Sequence, residues 1–65
     1  MKLTKNHRNA LIEKLKALIF ELETNKRLLS NIKDDFKEWR EIDIFLLEKS
    51  IETIEKSLIE NEIDF

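Results

Sequence analysis

SNIKDDFKEWREIDIFLLEKS, residues 30–50, decides the fold of this chain. The sequence on both sides of it reads as helix. Where the chain reverses within it therefore sets how much apolar surface two helices can hide from water. Upstream, Leu11, Leu15, Leu18, Leu22, Asn25, Leu29, Ile32, Phe36 and Trp39 recur at alternating spacings of four and three residues, the heptad seam of a helix that packs lengthwise on another. Thr4 is a good N-cap for that helix, because its hydroxyl can accept an amide proton from the first turn. Lys5 is the predicted first helical residue. Downstream, Ile44, Leu47, Ile51, Ile54, Leu58 and Asn61 form a second seam at spacings of three and four. The two seams are out of phase, since extending the first past Trp39 places Asp43 and Ser50 on it.

A phase shift of this kind marks a reversal, and the spacing predicts it at Glu41–Asp43. Asp43 would cap the second helix, Ile42 would pack on Leu47 as a hydrophobic staple, and Arg40 would sit in the closing turn of the first helix. The expected fold is all-α: an antiparallel hairpin with helices over about 5–40 and 43–63, one domain over 1–65. An earlier break is marked by Ser30 and Asn31, followed by Asp34, Asp35 and Glu38, where Asp35-Phe36-Lys37-Glu38 resembles a capping box. It is disfavoured because Ile32 and Phe36 keep to the first seam, and a helix running on from Phe36 sets Arg40 and Asp43 on its apolar side. An additional bend at Thr24-Asn25 would instead give a three-helix bundle.

Composition supports helices throughout. The 65 residues include no Gly and no Pro, which removes the residues best suited to hairpin turns and leaves strands hard to connect. Cys is also absent, so neither a disulfide nor a thiolate metal site can staple so small a domain. No stretch is apolar enough for a membrane span, and the N-terminal residues lack the apolar core of a signal peptide. The expected location is cytoplasmic. Abundant Lys, Ile, Asn and Glu suggest an AT-rich bacterial or phage genome. Residues 1–40 carry ten Lys/Arg against six Asp/Glu, a net +4, whereas residues 41–65 carry two Lys against eight Asp/Glu, a net −6. Segments of opposite sign attract when laid antiparallel, and such a pattern sets orientation more than stability.

The seams do not account for all the apolar residues. Ile12, Ile19, Phe20, Leu28, Phe45, Leu46, Ile59 and Ile63 lie off them. Left in water, they forfeit on the order of 10–20 kcal/mol of burial, more than the whole stability of most small domains. The expected resolution is a homodimer in which two hairpins make a four-helix bundle and each helix uses a wider stripe. Asn25, the one polar residue on the first seam up to Trp39, is a candidate for fixing register at a cost in stability.

Chemistry is sparse. One His and three Ser stand in helical pattern with no turn to present them, so no catalytic, metal or cofactor site is expected, and the chain is not read as an enzyme. His7 should face water, and Glu48, Glu52 and Glu55 should form a solvated face. Lys14, Lys26, Arg27 and Lys33 are candidate nucleic-acid contacts within a basic first half, but they spread over several helix faces and the sequence pI is near 5.4. Trp39, with Phe36 and Arg40, is a candidate protein contact, since Trp and Arg are enriched among binding hot spots. Ile12, Ile19, Phe20, Phe45 and Ile59 complete the predicted interface. The expected function is that of a small helical interaction module, a regulator or inhibitor acting on another protein. A nucleic-acid-binding hairpin dimer and a structural assembly part are the alternatives.

Overall fold

The computed structural model describes residues 1–31 and 33–63. Two helices, α1 over Lys5–Leu29 and α2 over Lys37–Glu60, pack against each other as an antiparallel hairpin about 45 Å long and 17 by 14 Å across. The all-α hairpin expected from the sequence is therefore present. Helix α1 runs unbroken through Thr24 and Asn25, so the three-helix alternative does not hold. The hydroxyl of Thr24 and the amide of Asn25 donate back to the carbonyls of Phe20 and Glu21, each at 2.9 Å. These local bonds leave the helix continuous.

The turn lies earlier than the seam phase predicts. The chain reverses over residues 30–36, at the site of the disfavoured break, and Trp39 and Arg40 open α2 instead of closing α1. Asp43 sits inside α2 and does not cap it, and Ile42 is exposed. The reason is a set of polar contacts that periodicity ignores. Asn31 Oδ1 accepts from the Lys33 N–H at 3.0 Å, and Asp34 Oδ1 accepts from the Phe36 N–H at 3.0 Å. Each is an Asx turn, which reverses a chain that has no glycine. Asp34 Oδ2 takes the Arg40 Nε–H, and Arg40 Nη1 donates to Asn25 Oδ1 at 3.3 Å. Arg40 does fall near the apolar side of α2, and Asp34 and Asn25 neutralise and satisfy it there. Phe36 and Trp39 are consequently exposed and off any core, and Ile32 lies outside the described residues.

The opposite end is clasped. Thr4 caps α1 as expected: its hydroxyl accepts from the His7 N–H at 3.1 Å, and His7 Nδ1 accepts from the Thr4 N–H at 3.2 Å, closing a capping box. The chain before Thr4 then pairs with the chain after α2. The Leu3 N–H donates to the Asn61 carbonyl at 3.0 Å, the Ile63 N–H donates to the Met1 carbonyl at 2.9 Å, and Lys2 and Glu62 face each other as an antiparallel bridge. Asn61 ends α2 in the left-handed region, at φ 56°, a conformation Asn tolerates better than most residues with a Cβ. Arg8 Nη1 fastens the two helices by donating to the Leu58 carbonyl at 3.0 Å and to Asn61 Oδ1 at 2.9 Å.

Between loop and clasp, the second seam faces α1, with Ile51 and Ile54 buried and Ile44, Leu47 and Leu58 partly buried. From α1, Leu11, Leu15, Leu18, Leu22, Asn25 and Leu29 meet it partly buried. Among the described residues the only buried apolar side chains are Leu3, Ile51 and Ile54. Two helices offer each other a single line of contact, so an isolated pair leaves most side chains open on one side.

Candidate functional site

The large apolar residues left outside the hairpin contact fall into separate groups. At about 100° per residue, Trp39, Ile42 and Leu46 lie within about 60° of one another on α2. All three are exposed, Trp39 at 73%. Shallow grooves continue this stripe between the helices: Leu46 lines one of them with Glu21, Asp43, Leu47 and Ser50, and another with Lys14, Ser50, Thr53 and Ile54. Phe36, exposed at the start of α2, stands at the loop end of the stripe. Arg40 is held by Asp34 and Asn25, about 100° around the helix from Trp39.

The second group occupies the other side of the hairpin. Ile12 and Ile19 lie on one flank of α1, 38% and 39% exposed, and Ile59 lies on a flank of α2 at 85%. The Lys26–Glu48 ion pair at 3.7 Å bridges those two flanks and so puts them on one side of the molecule. Beside them a groove of about 390 Å³ is lined by Leu22, Ile51 and Ile59 together with Glu48, Glu52, Glu55, Lys56 and Glu60. Glu48, Glu52 and Glu55, expected to form a plain solvated face, thus border an apolar surface. Phe20, on the back of α1, stands apart from both groups, and Phe45 carries the Lys49 ammonium 5.7 Å from its ring centroid. A cation over an exposed ring contributes about 0.5–1 kcal/mol.

The candidate nucleic-acid residues are not brought together. Lys14, Lys26 and Arg27 point in directions roughly 100° or more apart around α1, Lys26 is paired with Glu48, and Lys33 lies in the loop. Among the described residues, no group of three or more His, Asp or Glu is arranged to hold a metal ion, and no helix is long and apolar enough to cross a membrane. His7 is exposed but engaged in the capping box.

Sequence reasoning missed the clasp and the loop lock. Leu3 precedes the N-cap, where a hydrophobic staple begins, but the position that should pack on it is Arg8, so no local pattern marks Leu3 as buried. Arg8 with Asn61 and Asp34 with Arg40 are contacts between residues 53 and 6 positions apart, and no periodicity announces them. Neither a protein-family model, nor a curated protein, nor a solved structure matches the chain.

Proposed function

We propose that the chain is a non-enzymatic interaction module: a helical hairpin that pairs with itself into a four-helix bundle and acts as a regulator or inhibitor by occupying a surface of another protein. The observation that carries this reading is the Trp39–Ile42–Leu46 stripe, open to water along one side of α2 with Phe36 at its end. A contiguous apolar patch headed by Trp is the anatomy of a protein-binding hot spot and is uncommon on surfaces that stay wet. Helix-in-groove docking reads anchors at i, i+3 and i+7, and Trp39, Ile42 and Leu46 have that spacing. A helix bundle also presents such anchors with little ordering cost, because the helix exists before the partner arrives.

The test uses the single Trp. Tryptophan emission from the isolated protein is expected to be red, as for an indole in water. Proteins captured by the native chain from an extract of its host should be lost when Trp39→Ala and Leu46→Ala are combined, since hot-spot truncations each weaken binding by about 2 kcal/mol. Adding a captured protein should shift the emission to the blue. An unchanged capture pattern with the double variant would contradict the reading.

A further inference from the structure

We infer that the side bearing Ile12, Ile19 and Ile59 is covered by the same side of a second copy, with α1 of each chain lying on α2 of the other and both loops at one end. This rests on the self-pairing proposed above and specifies its face and its direction. The surface has an apolar centre and a margin whose net charge differs in sign between the helices. On α1, Ile12 and Ile19 are accompanied by Lys16, Glu23 and Lys26; on α2, Ile59 is accompanied by Glu48, Glu52 and Glu55, with Lys56 at the edge of the groove. At about 100° per residue, the five α1 residues span an arc of about 80°, and Ile59 with its three carboxylates spans about 60°. The α1 flank is net positive and the α2 flank net negative, so the two are complementary in charge.

Two face-to-face pairings preserve two-fold symmetry. With the axis perpendicular to the helices, α1 meets α1 of the second copy, α2 meets α2, and the loops point to opposite ends. With the axis along the bundle, α1 meets α2 of the second copy, twice, and the loops share an end. The charges choose between them. Helix α1 has six Lys/Arg against three Glu, a net +3, and α2 has four Lys/Arg against seven Asp/Glu, a net −3. The first pairing sets like against like on both contacts, whereas the second sets opposite against opposite on both. Complementary charge fixes orientation and rejects the wrong arrangement even where it adds little affinity.

Levels along the bundle agree with the second pairing. Inside one chain Arg8 is level with Leu58 and Asn61, and Lys26 with Glu48. A two-fold axis along the bundle preserves these levels between chains. It sets Lys16 near the second copy's Glu52 and Glu55, and Ile12 near its Ile59. The apolar centre, largely open in the single hairpin, closes between two ion-paired margins. The Trp39 stripe lies on the opposite side and stays free for a different protein.

Because the chain contains no Cys, one introduced thiol gives one label per chain. Asp35→Cys places it in the loop, at an exposed residue. Spin-label distances in the 65-residue chain, measured beside its hydrodynamic mass, separate the outcomes. A dimer with labels within about 25 Å, the width of a four-helix bundle plus the label arms, is the expected result. A dimer with labels separated by about the 45 Å length of the hairpin overturns the pairing of α1 with α2 and leaves self-association standing. A monomer mass overturns both. A charge swap supplies a second measurement on exposed residues, whose ion pairs within the chain are all at the surface and contribute about 0–1 kcal/mol each. Lys16→Glu with Lys26→Glu should raise the dimer Kd tenfold or more, as should Glu52→Lys with Glu55→Lys, while an equimolar mixture of the two variants should pair at the native affinity. Failure of the mixture to recover would overturn the arrangement, and far-ultraviolet circular dichroism confirms that each variant is helical.

Discussion

An Ile54→Ala variant should lose about 3 kcal/mol of stability, within the roughly 2–5 kcal/mol of such truncations. Ile54 is one of three buried apolar side chains among the described residues and lies at the centre of the α1–α2 contact. So small a core has few neighbours able to relax into the cavity. A chain of this size is marginal to begin with, and 3 kcal/mol corresponds to a fall of about 15 °C in the thermal midpoint. Phe20→Ala provides the comparison: Phe20 is larger but 73% exposed on the back of α1, and its truncation should change stability by no more than about 0.5 kcal/mol. Equal losses in thermal melts of the two variants would mean that the hairpin contact is misassigned.

Replacing Asp34 with Ala should be nearly as damaging, at about 3 kcal/mol, the low end of the range for breaking a buried ion pair. The Asp34 side chain is only 8% exposed and that of Arg40 is 25%, so water can stabilise the stranded guanidinium only in part. The same substitution removes the acceptor for the Phe36 N–H. Asp34→Asn retains an oxygen for that amide, and its loss should be smaller, about 1–2 kcal/mol. The decisive comparison is Asp43→Ala. A turn at Glu41–Asp43 would make Asp43 a cap worth about 1 kcal/mol, whereas an exposed Asp43 inside α2 should matter by about 0.5 kcal/mol at most. Urea titrations that found Asp43→Ala more destabilising than Asp34→Ala would overturn the observed turn.

The first seam holds from Leu11 to Leu29 and the second from Ile44 to Leu58, because heptad spacing reports directly which side chains share a line on a helix; Phe36 and Trp39, which continue the first seam by spacing, are exposed instead. The second seam carried through to the buried Ile51 and Ile54, and Thr4 capped α1 where its hydroxyl predicted. Spacing misplaces the turn because Ile32 and Phe36 continue the first seam, and because Arg40 and Asp43 fall toward the apolar side of a helix that starts at Phe36. Arg40 on the apolar side of α2 looked like a reason to end the first helix there. In the fold it is a reason to begin the second, because Asp34 and Asn25 meet it. Periodicity scores a charged residue on a seam as an error, while a fold can pair that charge with a partner from another element. Asn25, read as a break in the seam, is one of those partners, and its amide also bonds back to its own helix. The clasp was illegible for a related reason: Lys2 with Glu62 and Arg8 with Asn61 are contacts of long sequence separation with no repeating pattern. For the candidate site, the exposure of Ile12, Ile19, Phe20, Phe45, Leu46 and Ile59 was legible, since they lie off both seams, whereas Phe36 and Trp39 fall on the first seam by spacing and Ile42 reads as a staple, so their exposure was not. Their division between two sides of the hairpin depended on where α2 begins, and so came only with the structure.

A lone pair of helices that conceals so little should owe part of its stability to association, and the thermal midpoint as a function of protein concentration tests this most directly. For a folded dimer in equilibrium with unfolded chains, mass action raises the midpoint as the total concentration rises, and we expect that rise through the micromolar range. A sharp, fully reversible transition whose midpoint stays fixed over that range, at a mass of 7.9 kDa, would show that the single hairpin is sufficient in itself.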